Sequence, residues 1–80
     1  MQNLMARIEI NPKVMFGKPV VRHTRITVES ILKKLSKNVS VKDILDQYPK
    51  LEVLDVKAAL AYACEAISTE EFRIPVGSGK

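Results

Sequence analysis

Eighty residues with 46% apolar and 5% aromatic side chains allow one compact domain whose core is built from Leu, Ile, Val and Ala. A single cysteine, Cys64, excludes an internal disulfide and a cysteine-rich zinc site, and no stretch has the pattern of a signal peptide or the length of a membrane span, so a cytoplasmic protein without membrane contact is expected. The net charge of +4 is unevenly spread: residues 1–42 hold nine basic side chains against two acidic ones, and residues 43–80 hold four against seven, so one half suits a polyanion and the other a basic partner, unless both are merely solvated faces.

In chain order, Arg7-Ile8-Glu9-Ile10 alternates with period two and stops at Asn11-Pro12, which predicts a short strand and a turn. A second strand is predicted at Val20-Val21-Arg22, after Gly17 as a turn residue and Pro19, which lacks a backbone donor, at its start or edge. Residues 1–27 therefore read as a β-arm or hairpin. It is too short to stand alone and is expected to lie on helices or to pair with a second chain.

Val28, Ile31, Leu32 and Leu35 recur at helical spacing behind Thr27 as N-cap, with Asn38 as the stop. Ser40-Val41-Lys42-Asp43 is a capping-box variant that opens a two-turn helix carrying Val41, Ile44, Leu45 and Tyr48 and ending at Pro49. In the third helix, Val53, Val56, Leu60, Ala63, Cys64 and Ile67 form one apolar stripe that Leu54, Ala58 and Ala61 widen. That helix is expected to be central and mostly buried, with Cys64 in the core and Tyr48 and Tyr62 at the core edge. Residues 28–67 thus predict a mainly α, tri-helical, homeodomain-like bundle, and the break at Pro49-Lys50-Leu51 gives it the outline of a helix-turn-helix. Residues 68–80 lose the periodicity and are expected to form an extended tail; their GSGK has neither the spacing of a phosphate loop nor a helix to cap.

Arg22 and Arg25, three apart around a bend, can turn two guanidinium groups to one face for phosphate or a guanine edge, with Lys18 adding charge. Alternatively they pair with Glu9 and Glu29 and hold the arm on the bundle. The third helix opens with Glu52 and Asp55, which repel phosphate, so any DNA binding has to draw on the arm and on Lys33, Lys34 and Lys37 of the first helix. His23 has no second ligand or nucleophile at useful spacing, and no catalytic pair is visible, so neither a metal, a cofactor nor an enzymatic activity is expected.

Several motifs carry a resemblance: Asn-Pro-Lys-Val at 11–14, Gly-Lys-Pro-Val-Val-Arg at 17–22, Thr-Arg-Ile at 24–26, Asp-Ile-Leu-Asp-Gln-Tyr-Pro at 43–49 and Asp-Val-Lys-Ala-Ala-Leu-Ala-Tyr-Ala at 55–63. In their order, over roughly residues 7–67, the chain resembles the domain of unknown function 433 family. The resemblance implies a homeodomain-like fold with a β-arm and an antitoxin role related to VapB-type proteins, opposite a PIN-like ribonuclease toxin. On that basis operator DNA would be bound by Lys18, Arg22, Arg25, Lys33, Lys34 and Lys37 of a homodimer, and the toxin by Phe72, Arg73 and Ile74, whose cation could meet the metal-binding carboxylates of such a nuclease. An interaction module without nucleic-acid binding is the alternative. The chain departs from the family in placing Phe16 and His23 where glycine is usual, Thr27 where proline is usual and Glu52 where a Ser or Thr cap is usual. A less firmly fixed start to the third helix is expected from the last change.

Overall fold

A computed structural model describes residues 3–69, and within them three helices stand behind a two-stranded antiparallel hairpin. Strand β1 (Ile8–Glu9) pairs with β2 (Val20–Val21) in the register Ile8 to Val21 and Glu9 to Val20. The strands are shorter than the apolar alternation predicts because the chain bends at once on both sides. Asn11 Oδ1 accepts from Lys13 N at 2.9 Å, and Asn11 O accepts from Val14 N at 2.8 Å, which makes the expected Asn-Pro turn. Before β1, residues Leu4–Arg7 form a single 3₁₀ turn that packs chiefly against the third helix.

Helix α1 (Val28–Ser36) starts where its cap was expected, with Thr27 Oγ1 accepting from Ser30 N at 3.0 Å. It ends in a Schellman motif: Asn38 stands at φ +67°, its N–H reaches Leu35 O, and the N–H of Val39 reaches Lys34 O at 2.9 Å. Helix α2 (Val41–Gln47) is capped by Ser40 Oγ, which accepts from Asp43 N at 3.0 Å. Helix α3 (Val53–Thr69) runs through Ser68 and Thr69, two residues that the loss of periodicity assigns to the tail. The remaining predicted tail, with Phe72, Arg73 and Ile74, lies outside the described residues.

Ile31 and Ile44 are fully buried at the centre of the core, joined by Val20, Val21, Val28, Leu51, Val56, Ala58 and Ala59. Tyr48 and Tyr62 pack at its edge, as expected. The arm is built into this core rather than laid on it: β2 is buried at both residues, and Val20 also bridges to Thr27.

Helix α3 departs from expectation in which face it buries. Val53, Leu60 and Ile67 are exposed at 48%, 47% and 61%, and Cys64 is exposed as well, so four of the six residues of the predicted stripe face outward. The inward face is Asp55, Val56, Ala58 and Ala59, with Tyr62 continuing it. Small alanines let the helix approach α1 closely, and the bulkier side chains are left on the other side. No helix among the described residues is long and apolar enough to cross a membrane.

Candidate nucleic-acid interface

The site grows from the turn that follows β2. Val21 O accepts from Thr24 N at 3.0 Å and from Thr24 Oγ1 at 2.8 Å, and the same hydroxyl accepts from Ile26 N at 3.0 Å. This locks Arg22 and His23 at the tip of a β-turn in which His23, the third residue, stands at φ +67°. A positive φ at that position alone is the type II pattern, which favours glycine, and for a side chain with a Cβ it costs about 1 kcal/mol or more. The loop between the strands has the same character, with Met15, Phe16 and Gly17 at φ +49°, +59° and +79°, and leaves the Phe16 ring 94% exposed.

Two adjoining hollows flank the tip. One, of about 430 Å³, is lined by Arg7, Arg22, His23, Lys50, Glu52 and Asp55, among others. The second, of about 490 Å³, is lined by Glu9, Val14, His23, Arg25, Ile26 and Lys50, together with Thr24. His23, Thr24 and Lys50 border both. Lys50 comes from the connection between α2 and α3, so the crevice is made where the hairpin meets that connection.

Three of these charges are satisfied within the fold. Arg7 Nη1 lies 3.0 Å from Asp55 Oδ1 and 3.3 Å from Glu52 Oε1. The second oxygen of Asp55 accepts from Glu52 N at 2.8 Å, the backward reach of a capping box, so the start of α3 is firmly fixed by Asp55 and not loosened by the missing Ser or Thr. The hydrogen bond to Asp55, and then the attraction of that carboxylate and of Glu52, hold the Arg7 guanidinium pKa above its ordinary value against the opposing effect of burial. The two carboxylates that repel phosphate are therefore bound to one arginine, which offsets half of their charge, with Asp55 almost wholly buried and Glu52 at the surface.

Arg22, His23, Arg25 and Lys50, by contrast, make no side-chain hydrogen bond or ion pair among the described residues, and all four are exposed. The alternative in which Arg22 and Arg25 pair with Glu9 and Glu29 is not realised. Glu29 is taken by Lys18, whose Nζ lies 3.1 Å from its Oε1, and this hydrogen bond, followed by the charges of Lys18 and Lys33, lowers the Glu29 pKa. Lys18 is thus partly spent on α1. Lys33, Lys34 and Lys37 line a different hollow with Tyr48, over whose ring Lys34 Nζ sits 5.6 Å from the centroid. The six expected DNA contacts are divided: Arg22 and Arg25 share the crevice, the α1 lysines form a second group, and Lys18 is paired. Lys50 and His23 join the arginines. Sequence reading passes over them because Lys50 looks like turn punctuation and a lone His23 reads as neither a metal ligand nor an acid–base group, only as a departure from a usual glycine. No group of three or more His, Cys, Asp or Glu residues placed to hold a metal ion occurs among the described residues.

Residues 8–63 match the model of the DUF433 family, described as a protein of unknown function. A solved structure of a DUF433 member protein from Anabaena variabilis is similar to this chain at 30% identity, with a TM-score of 0.74 over 79% of the chain and 62% of that protein. The chain thus spans under two thirds of the length of that relative. No curated protein matches it.

Proposed function

We propose that this chain, which belongs to the DUF433 family, is a non-catalytic, cytoplasmic, antitoxin-like adaptor that binds nucleic acid through its N-terminal half and a PIN-like ribonuclease through its C-terminal residues. The observation that carries the nucleic-acid part is the division of charge in the crevice: the acids of α3 are held by Arg7, while Arg22, Arg25 and Lys50 have no acidic partner among the described residues and line two adjoining hollows. An unpaired surface cation keeps its full attraction for phosphate and gives up only water and counterions on binding. The α2–α3 pair, read as a helix-turn-helix, would then approach DNA with its connection and the neighbouring hairpin turn, rather than with base-reading side chains at the start of α3. Operator sequence preference would come from elsewhere on the dimer or from DNA shape.

The test is the double change Arg22→Ala with Arg25→Ala, measured against duplex fragments across a salt series. Binding is expected to weaken, and the salt slope to fall by about one unit for each phosphate contact removed. Unchanged binding rejects the arm as the contact. The toxin contact is assigned to Phe72, Arg73 and Ile74, and a chain ending at Thr69 that still folds and neutralises the toxin as well as the full chain rejects the tail and moves the contact to the bundle or arm.

A second reading, an interaction module without nucleic acid, is favoured by the outward face of α3, where Val53, Leu60 and Ile67 recur every seven residues beside the exposed Cys64. A homodimer fits either reading. Sedimentation as a 9.0 kDa monomer at high micromolar concentration would argue against it.

A further inference from the structure

His23 borders both hollows, and its backbone is in a conformation that glycine would adopt more cheaply. Its ring makes no hydrogen bond among the described residues, so nothing inside the fold accounts for a side chain there. Lys50, from the connection between α2 and α3, also borders both hollows, with no carboxylate partner among the described residues. Each hollow therefore offers the same shared pair, His23 and Lys50, plus one arginine without an acidic partner among the described residues: Arg22 in the first, where Arg7 is already bound to Asp55 and Glu52, and Arg25 in the second. We propose that His23 and Lys50 form a phosphate clamp across both hollows, which seats consecutive phosphates of one nucleic-acid strand, one beside Arg22 and the next beside Arg25. The clamp rests on the nucleic-acid reading above and names its contacts.

The lining carries three carboxylates that such a ligand must meet. Asp55 and Glu52 are engaged by Arg7 in the first hollow. Glu9, at the second hollow, has no cationic partner among the described residues and opposes the ligand. The clamp thus predicts a sign for each side chain: His23 and Lys50 favour binding, and Glu9 disfavours it. Strain at a binding residue is expected where the surrounding hydrogen bonds fix the turn, as those of Thr24 do here.

The experiment compares the full chain with His23→Gly, Lys50→Ala and Glu9→Gln, using a mixed-sequence duplex of about 20 base pairs, long enough to span two half-sites, with Arg22→Ala/Arg25→Ala as the control. His23→Gly is expected to melt higher, by about 4 °C, because the left-handed backbone is relieved, yet to bind roughly fivefold more weakly. Lys50→Ala should lower the salt slope by about one unit, and Glu9→Gln should tighten binding. A purely structural role for His23 moves stability alone, so a His23→Gly protein that is more stable and binds as well as the parent overturns the clamp. If the double arginine variant is impaired while His23→Gly and Lys50→Ala are not, the clamp is wrong and the nucleic-acid reading survives. If the parent binds no duplex, that reading fails, and an amide-shift titration with pyrophosphate decides the clamp by itself: shifts centred on His23, Thr24 and Lys50 support a phosphate site, and their absence overturns it.

Discussion

Arg7 and Arg22 sit on neighbouring backbones, with Arg22 N donating to Arg7 O at 2.8 Å, yet their side chains serve different ends. Arg7 turns toward α3 and joins the hairpin to Glu52 and Asp55, residues 45 and 48 positions away. Arg22, on the turn beyond the strand, meets no acid among the described residues. A formal count of basic residues treats the two alike, but Arg7 with Asp55 and Glu52 sums to a net −1, whereas Arg22 adds an uncompensated positive charge to the field that a polyanion would feel. Conversely, the acids at the start of α3 count against DNA in the sequence, and in the fold they are the anchor of the arm. Charge used to hold a structure together and charge left for a ligand can be told apart only by their partners.

Breaking the paired side should have the largest effect. Asp55→Ala removes the buried partner of Arg7 and leaves the N–H of Glu52 without its acceptor in a partly buried place. A loss of about 2 to 4 kcal/mol is expected, a large fraction of the stability of so small a domain. Urea denaturation measures it, and a loss below about 0.5 kcal/mol would mean that the network does not anchor the arm. Asp55→Asn, which keeps an acceptor for that N–H, should fall in between.

Touching the unpaired side should do the opposite. His23→Gly is expected to gain about 0.5 to 1 kcal/mol, since the relief of a left-handed Cβ exceeds the entropy that glycine adds to the unfolded chain. A destabilised His23→Gly protein would show that the imidazole supports the fold and would erase the contrast with Arg7. The paired change Arg22→Ala/Arg25→Ala should leave the melting curve within about 0.5 kcal/mol of the parent. The same small range is expected for Leu60→Glu with Ile67→Glu on the outer face of α3, while any self-association through that face is lost in sedimentation.

The smallest effect belongs to the pair between Lys18 and Glu29, both more than half exposed. The folded-state pKa of Glu29 lies below the ordinary value for a glutamate, so the pair's contribution is present above the ordinary value and fades as pH falls through the lower folded value. Glu29→Gln should therefore reduce the difference between the melting temperatures at pH 6 and pH 3 only slightly. A large reduction would place Glu29 among the groups that hold the fold.

The amino-acid sequence by itself determined the features closed by hydrogen bonds between near neighbours. Thr27, Ser40, Asn38 and Asn11 each satisfy or redirect backbone groups two to four residues away, so the ends of α1, the start of α2 and the turn after β1 are written in the local residue types. The strands' existence was legible in the same way, though not their length, because it depends on the turns that crowd them. Only the tertiary structure decided which face of α3 is inside. Apolar residues surround most of that helix, so its periodicity admits two faces, and close contact with α1 and the arm favours the alanine side over the Val53, Leu60 and Ile67 side. The pairing of Arg7 with Asp55, and the meeting of His23 with Lys50, joined residues too far apart in the chain for any local rule. They depend on where the hairpin comes to rest, and that is set by the burial of Val20 and Val21 in a core shared with all three helices.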